Sequence, residues 1–268
     1  AQVGALSSVQ IGGLSSTQIS AIETGDLRAL SSSAIRALGT DLIRAMTTDQ
    51  IAALTTAQVA GLSSVQVAAI TTAGIVALNS ADVAALNTQQ VRALATDQMA
   101  ALETGDLRAL SSSAMRALAS EQINALGTDQ MAALTSTQVA SLTTGQLSNL
   151  SSTNLNALTS AQFAALTTGQ LGALTTAQIA AMETADLVAI GSRGLRTWNS
   201  TQVSALSTDE IVALSTAQVG SLTSTQVAGL NSAQIKALDS ADLPGLTTDA
   251  LRGLTAAQIM RSALEIAA

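Results

Sequence analysis

Leu54-Thr55-Thr56-Ala57-Gln58-Val59-Ala60-Gly61 decides the fold, because Leu62 begins the same pattern again. A large apolar residue stands at every position from Val3 to Ile259 in steps of eight. A second row runs from Leu6 to Leu254 in the same steps, and 26 of its 32 members are Leu, the others being Ile, Met or Trp. Every member of the row from Ser8 to Thr248 is Ser or Thr. An unbroken short period marks a repeat architecture, in which each unit cannot bury its own apolar face and must stack on its neighbours.

The apolar residues are spaced three and five apart by turns, which is not the strict alternation of a half-buried strand. Abundant Ala and scarce aromatics also disfavour strands. One continuous helix fails as well, since a period of eight drifts against 3.6 residues per turn and paired Ser/Thr would interrupt it. The octad instead reads as one very short helix and a corner. In the row after each Leu, 27 of 33 members are Ser, Thr, Asn, Asp or Gly, the set preferred at a helix N-cap. Three residues later, 20 of 33 are Gln and six are Asp or Glu. That pair is a capping box, and the Leu before the cap with the Val or Ile four residues after it forms a hydrophobic staple. Thr55, Gln58, Leu54 and Val59 supply all four parts.

The row before each Leu is Ala or Gly in 28 of 33 cases, which predicts close backbone approach at the corners. The Ser/Thr row is read as the first helical residue, with its hydroxyl bonded to a free carbonyl at a neighbouring corner, because buried backbone groups need partners. Ordering an octad costs roughly 1–2 kcal/mol per residue. Burying two large aliphatics returns only roughly 1.5–3 kcal/mol each, so stacking must supply the rest. The expected fold is all-α, a right-handed solenoid of very short capped helices, one per octad, over residues 1–256. Residues 257–268 read as a helical tail or cap.

Composition narrows the function classes. Charged residues are 11% and aromatics 1%, so the core is Leu, Val, Ile and Ala. A net charge of −7 disfavours nucleic acid, which needs clustered Lys and Arg. The chain has no His, Cys or Tyr, which removes disulfides and thiolate metal sites, and no apolar run approaches the roughly 20 residues that span a bilayer. Positioned acid–base or nucleophilic groups are not recognisable, nor is a phosphate-binding Gly loop. Asp239 and Asp242 match neither an EF-hand nor a nonapeptide calcium spacing. The expectation is a protein with no catalytic role and no cofactor.

A longer period is superimposed. Glu23-Thr24-Gly25-Asp26-Leu27-Arg28 recurs as Glu103-Thr104-Gly105-Asp106-Leu107-Arg108, 80 residues or ten octads later. Duplication of a ten-octad block explains this, and so would a structural or assembly repeat. Arg28, Arg36, Arg44, Arg92, Arg108, Arg116, Arg196, Arg252 and Lys236 share one octad position, which should face solvent or a partner. Acids such as Asp41, Asp49, Asp97, Glu121 and Asp129 favour the first helical turn, where the helix dipole stabilises them. Solubility and helix-end electrostatics account for both rows. The alternative is lateral pairing between molecules, for which the candidate contacts are Arg28, Arg36, Arg44, Arg108, Arg116, Glu23, Asp26, Glu103 and Asp106.

Three octads are irregular. Gly191–Trp198 deviates most, with Trp198 in place of Leu, read as a core substitution that widens the stack or else as a local ligand site. Pro244 lies inside an expected helix and lacks an amide donor, so one distorted turn is expected there. Phe163 occupies the Val/Ile row and should be core.

The octads Leu54–Leu62 and Leu126–Leu134 resemble the Leu-Thr-x-x-Gln repeats of very large bacterial surface or secreted proteins. They are also similar, less closely, to the repeat region of translocon proteins of plant-associated type III secretion. The likeness covers nearly the whole chain and carries over no functional residue. It implies a secreted, structural bacterial protein. The leading expectation is therefore an extracellular filament subunit, stalk or spacer that associates with copies of itself. The rivals are a surface-binding module whose Ser/Thr ladders recognise polysaccharide or ice, and a secreted effector or translocon segment.

Overall fold

The structure is a computed structural model and describes residues 6–238, 245–256 and 258. It is an all-α solenoid of short helices, each four to six residues long, with one in nearly every octad and no strand among the described residues. Pro244, Asp239, Asp242 and all of the expected tail except Gln258 lie outside the described residues. The chain divides into two compact units, Ala1–Ser141 and Leu142–Ala268.

The octad around Thr55 shows how the sequence makes each turn. The helix Thr56–Gly61 begins at Thr55, whose extended backbone (φ −76°, ψ 153°) turns the chain and whose hydroxyl accepts from the Gln58 amide at 3.3 Å. The Thr55 amide donates to Gln58 Oε1 at 2.8 Å, closing the capping box. The residue before it, Leu54, is also extended (φ −58°, ψ 140°), so the corner consists of two extended residues. The corners do not use the left-handed glycine that ends many helices; Gly191, at φ 62°, is the one described residue with positive φ. Where the cap residue lacks a hydroxyl the Gln half of the box persists: the amides of Ala95, Ala119 and Gly127 still donate to Gln98, Gln122 and Gln130 at 2.7–2.8 Å.

Both apolar rows form the core. Val59 and Leu62 are buried, as are their counterparts Ile75 and Leu78, and Phe163 and Trp198 sit in the same rows. Helices three octads apart pack on each other, such as Ser32–Arg36 on Thr56–Gly61 in the first unit and Ser200–Ser204 on Ser224–Gly229 in the second. Hydrogen bonds between adjacent turns span 25 to 31 residues, so one superhelical turn takes between three and four octads. The small row does sit at close approach. A Cβ on Gly61 would lie 3.0 Å from Ser32 Cβ, and one on Gly229 would lie 2.7 Å from Ser200 Cβ.

The Ser/Thr row behaves differently from its expectation. Ser32 Oγ donates to the Ala57 carbonyl at 3.1 Å and Ser192 Oγ to that of Ala217 at 2.8 Å, as predicted. Thr56, Ser80 and Ser160 instead donate to the carboxylates of Asp82, Asp106 and Asp186, 26 residues on. Many other members, such as Thr48 and Thr72, are simply exposed.

Candidate interaction surface

The bonds between turns are carried mainly by the capping glutamines. Gln58 is buried, and while its Oε1 closes the capping box its Nε2 donates to the carbonyls of Leu27 and Leu30, both at 2.8 Å. Those residues lie 31 and 28 positions earlier, at the C-terminal end of the underlying helix and at its corner. The same pair of bonds recurs from Gln50 to Ile19 and Ile22, from Gln138 to Leu107 and Leu110, and from Gln226 to Leu195 and Trp198. A helix leaves amides free at its start and carbonyls free at its end. One neutral amide side chain satisfies the first in its own octad and the second in the turn below. The sequence announced the cap but not the bridge.

Three departures show what the bridge requires. Asp82, Asp106 and Asp186 are too short to reach those carbonyls and, ionised, have no hydrogen to give, so they accept the hydroxyl from the turn below instead. Burial raises the Asp186 carboxyl above its ordinary value, opposed by the Ser160 hydrogen bond and reinforced by the Glu183 charge. Glu210 takes the Ser207 amide on Oε2 at 2.6 Å, but its Oε1 is buried without a hydrogen-bond partner. Gly194 has no side chain, and a Cβ there would fall 2.8 Å from Ile190 Cβ and 2.9 Å from Leu171 Cδ1. Arg193 substitutes for the missing amide: its Nη2 donates at 2.9 Å to the Leu166 carbonyl, 28 residues before Gly194. Trp198 adds its own bond, from Nε1 to the Leu171 carbonyl at 2.9 Å.

The candidate contact residues fall on two kinds of ground. Arg28, Arg36, Arg44, Arg108, Arg116, Glu23 and Glu103 are exposed. Asp26 is half-buried, and Asp106 is buried at 6% exposure under the Ser80 hydroxyl, 2.6 Å away. Asp106 is thus a structural acceptor between turns, not a surface contact, because its octad position is the one the bridging Gln occupies elsewhere. Arg44 pairs with Asp41 at 3.1 Å in an exposed i,i+3 ion pair, an interaction of roughly 0.3–0.5 kcal/mol. Arg116 Nε donates to the Ser141 carbonyl at 3.3 Å.

Arg28, Arg36 and Arg44 do not form one patch, since successive octads point to different sides of the stack. Positions 24 residues apart come together instead, and the helices Thr88–Ala93 and Ser112–Ala117 pack so that Arg92 and Arg116 stand on successive turns. A shallow cleft recurs at one phase of the repeat. It is lined by Arg36 with Gly61–Ser64 and Asn87–Gln90, by Arg44 with Ala69–Thr72 and Asp97, and by Arg196 with Ser221–Ser224 and Asp249. No group of three or more His, Cys, Asp or Glu capable of holding a metal ion occurs among the described residues, and no helix there is long and apolar enough to cross a membrane.

Six stretches match the model of the ALTTAQ repeat: residues 19–56, 75–102, 99–136, 139–176, 179–216 and 211–240. Three successive matches begin at 99, 139 and 179, so the family unit recurs every five octads and the 80-residue period is two such units. No curated protein matches the chain.

Proposed function

The chain belongs to the ALTTAQ repeat family, a structural repeat protein, and from that premise we propose that it serves outside a bacterial cell as a filament subunit or as a stalk or spacer. The observation that carries this reading is the glutamine bridge. Gln58, Gln138 and Gln226 make the same bonds to the turn below, so turns can be added without a new kind of contact. Localisation outside the cell rests on the resemblance to bacterial surface repeats alone. The exposed Arg28, Arg36, Arg44, Arg108 and Arg116 are the side chains available for lateral pairing with acids such as Glu23 and Glu103 of a neighbouring copy.

The reading includes no catalytic role. Cap hydroxyls such as Thr55 accept backbone amides and are held there as structural groups. Electron microscopy of the native material tests the proposal. Uniform fibres or long rods of constant width support it, whereas dispersed particles that stay monomeric at all concentrations overturn the filament role and leave the spacer.

A second reading has its own observation in the recurring polar cleft. A repeating polymer such as a polysaccharide would meet equivalent clefts, for example those at Arg36 and Arg44. Glycan-array binding that is lost on Arg36→Ala and Arg44→Ala would favour it.

A further inference from the structure

The octad Gly191–Trp198 forms a cleft unlike the others. Among charged residues at the first-turn position, Asp41, Asp49, Asp97, Glu121, Asp129, Asp209 and Asp249 are acids, and Arg193 is the single base. Arg193 and Arg196 line one open cleft of about 570 Å³ together with Ser192, Ala217, Gly220 and Ser221, none of them acidic. A side chain at Gly220 is excluded, because its Cβ would lie 2.7 Å from the Gly245 carbonyl oxygen, so the cleft wall stays low there.

Two features prepare the arginines for a ligand. Arg193 is held by the bond from its Nη2 to Leu166 O, which fixes the guanidinium while its other nitrogens remain available as donors. Arg196 is exposed and makes no ion pair or hydrogen bond. The nearby acid Asp249 lines the adjoining cleft and is paired with Arg252 at 3.1 Å. The hydroxyl protons of Ser192 and Ser221 are spent on the carbonyls of Ala217 and Gln218, leaving the guanidinium groups as the donors. Two guanidinium groups in one cleft match the planar, multiple acceptors of an oxyanion.

We propose that this cleft binds an oxyanion group, a phosphate, sulfate or carboxylate, either free or carried on an acidic polymer. It is independent of the structural role proposed above. The test uses the whole chain with three probes: inorganic phosphate, dextran sulfate and polygalacturonate. Binding is followed by calorimetry and by the fluorescence of Trp198, the one tryptophan, which belongs to the same octad. The expected result is saturable binding of at least one probe, weakened roughly tenfold or more by Arg196→Ala and largely restored by Arg196→Lys, as loss of a charge-assisted bond implies. Arg36→Ala, in the other unit, should bind as the parent does. Response to phosphate marks a free ligand, and response to a polymer alone marks an acidic chain. Circular dichroism of each variant confirms folding. No saturable binding of any probe, or equal weakening by Arg36→Ala and Arg196→Ala, would overturn the proposal.

Discussion

Gln58 Nε2 lies 2.8 Å from the carbonyl oxygen of Leu30, and the same side chain caps its own helix through Oε1. A residue chosen for local helix initiation therefore also carries the tertiary contact. Removing it loses both roles at once, and leaves two buried carbonyls without their donor.

Gln58→Ala should accordingly cost about 2–4 kcal/mol, the sum of lost hydrogen bonds and newly unsatisfied carbonyls. Thr55→Ala, which removes one cap acceptor, should cost about 1 kcal/mol. Guanidinium denaturation of the whole chain ranks the two. Equal losses would show that the bridge adds nothing to the cap.

Glu210 is the converse case, since its Oε1 occupies the place of a donor and has no partner. Glu210→Gln should stabilise the protein by about 1–3 kcal/mol at neutral pH by supplying an amide to the turn below. The reciprocal change, Gln218→Glu, removes the bond to the Leu187 carbonyl at 2.8 Å and should destabilise. Denaturation midpoints of the two variants should move in opposite directions.

Asp186 gives the pH dependence its sign. Burial raises its folded-state value above the ordinary carboxylate range. The folded chain then holds this proton after the unfolded chain has released it. Stability falls as pH rises from the ordinary value through the raised one, and levels off above it. Asp186→Asn, whose side-chain oxygen can still accept from Ser160, should be more stable than the parent at neutral pH. That difference should shrink as pH falls below the ordinary carboxylate range. A difference independent of pH would argue against the burial effect.

Arg193 and Arg36 separate a structural arginine from a surface one. Arg193→Ala removes the donor that reaches Leu166 in place of a bridging Gln, and should cost about 1–2 kcal/mol. Arg36→Ala should stay within about 0.5 kcal/mol of the parent. Gly194→Gln should not rescue Arg193→Ala, because Ile190 and Leu171 already fill the space. Trp198 fluorescence reports unfolding of this region directly.

Much of this was legible in one dimension. Eight-residue spacing, the N-cap row, the capping Gln and the two apolar rows follow from local chemistry repeated, and the structure places Thr55, Gln58, Val59 and Leu62 as that chemistry demands. A signal for the bridge was also present. A capping box takes Glu as readily as Gln, and the helix dipole favours Glu, yet the row holds 20 Gln and one Glu, Glu210. A strong preference for the neutral amide means that its NH₂ has an acceptor.

What sequence could not give was the identity of that acceptor. Local rules fix which atoms of an octad lack partners, but not which octad lies beneath it. That depends on how many octads complete a turn, and so on the angle at each two-residue corner summed around the superhelix. The tertiary structure set this between three and four octads, and in doing so paired Gln58 with Leu27 and Leu30, buried Asp106 under Ser80, and turned Arg193 into a substitute for an absent glutamine. The repeat was determined by the sequence alone, because capping and burial act within a few residues. The register between turns was decided only in three dimensions, because it is a property of the stack.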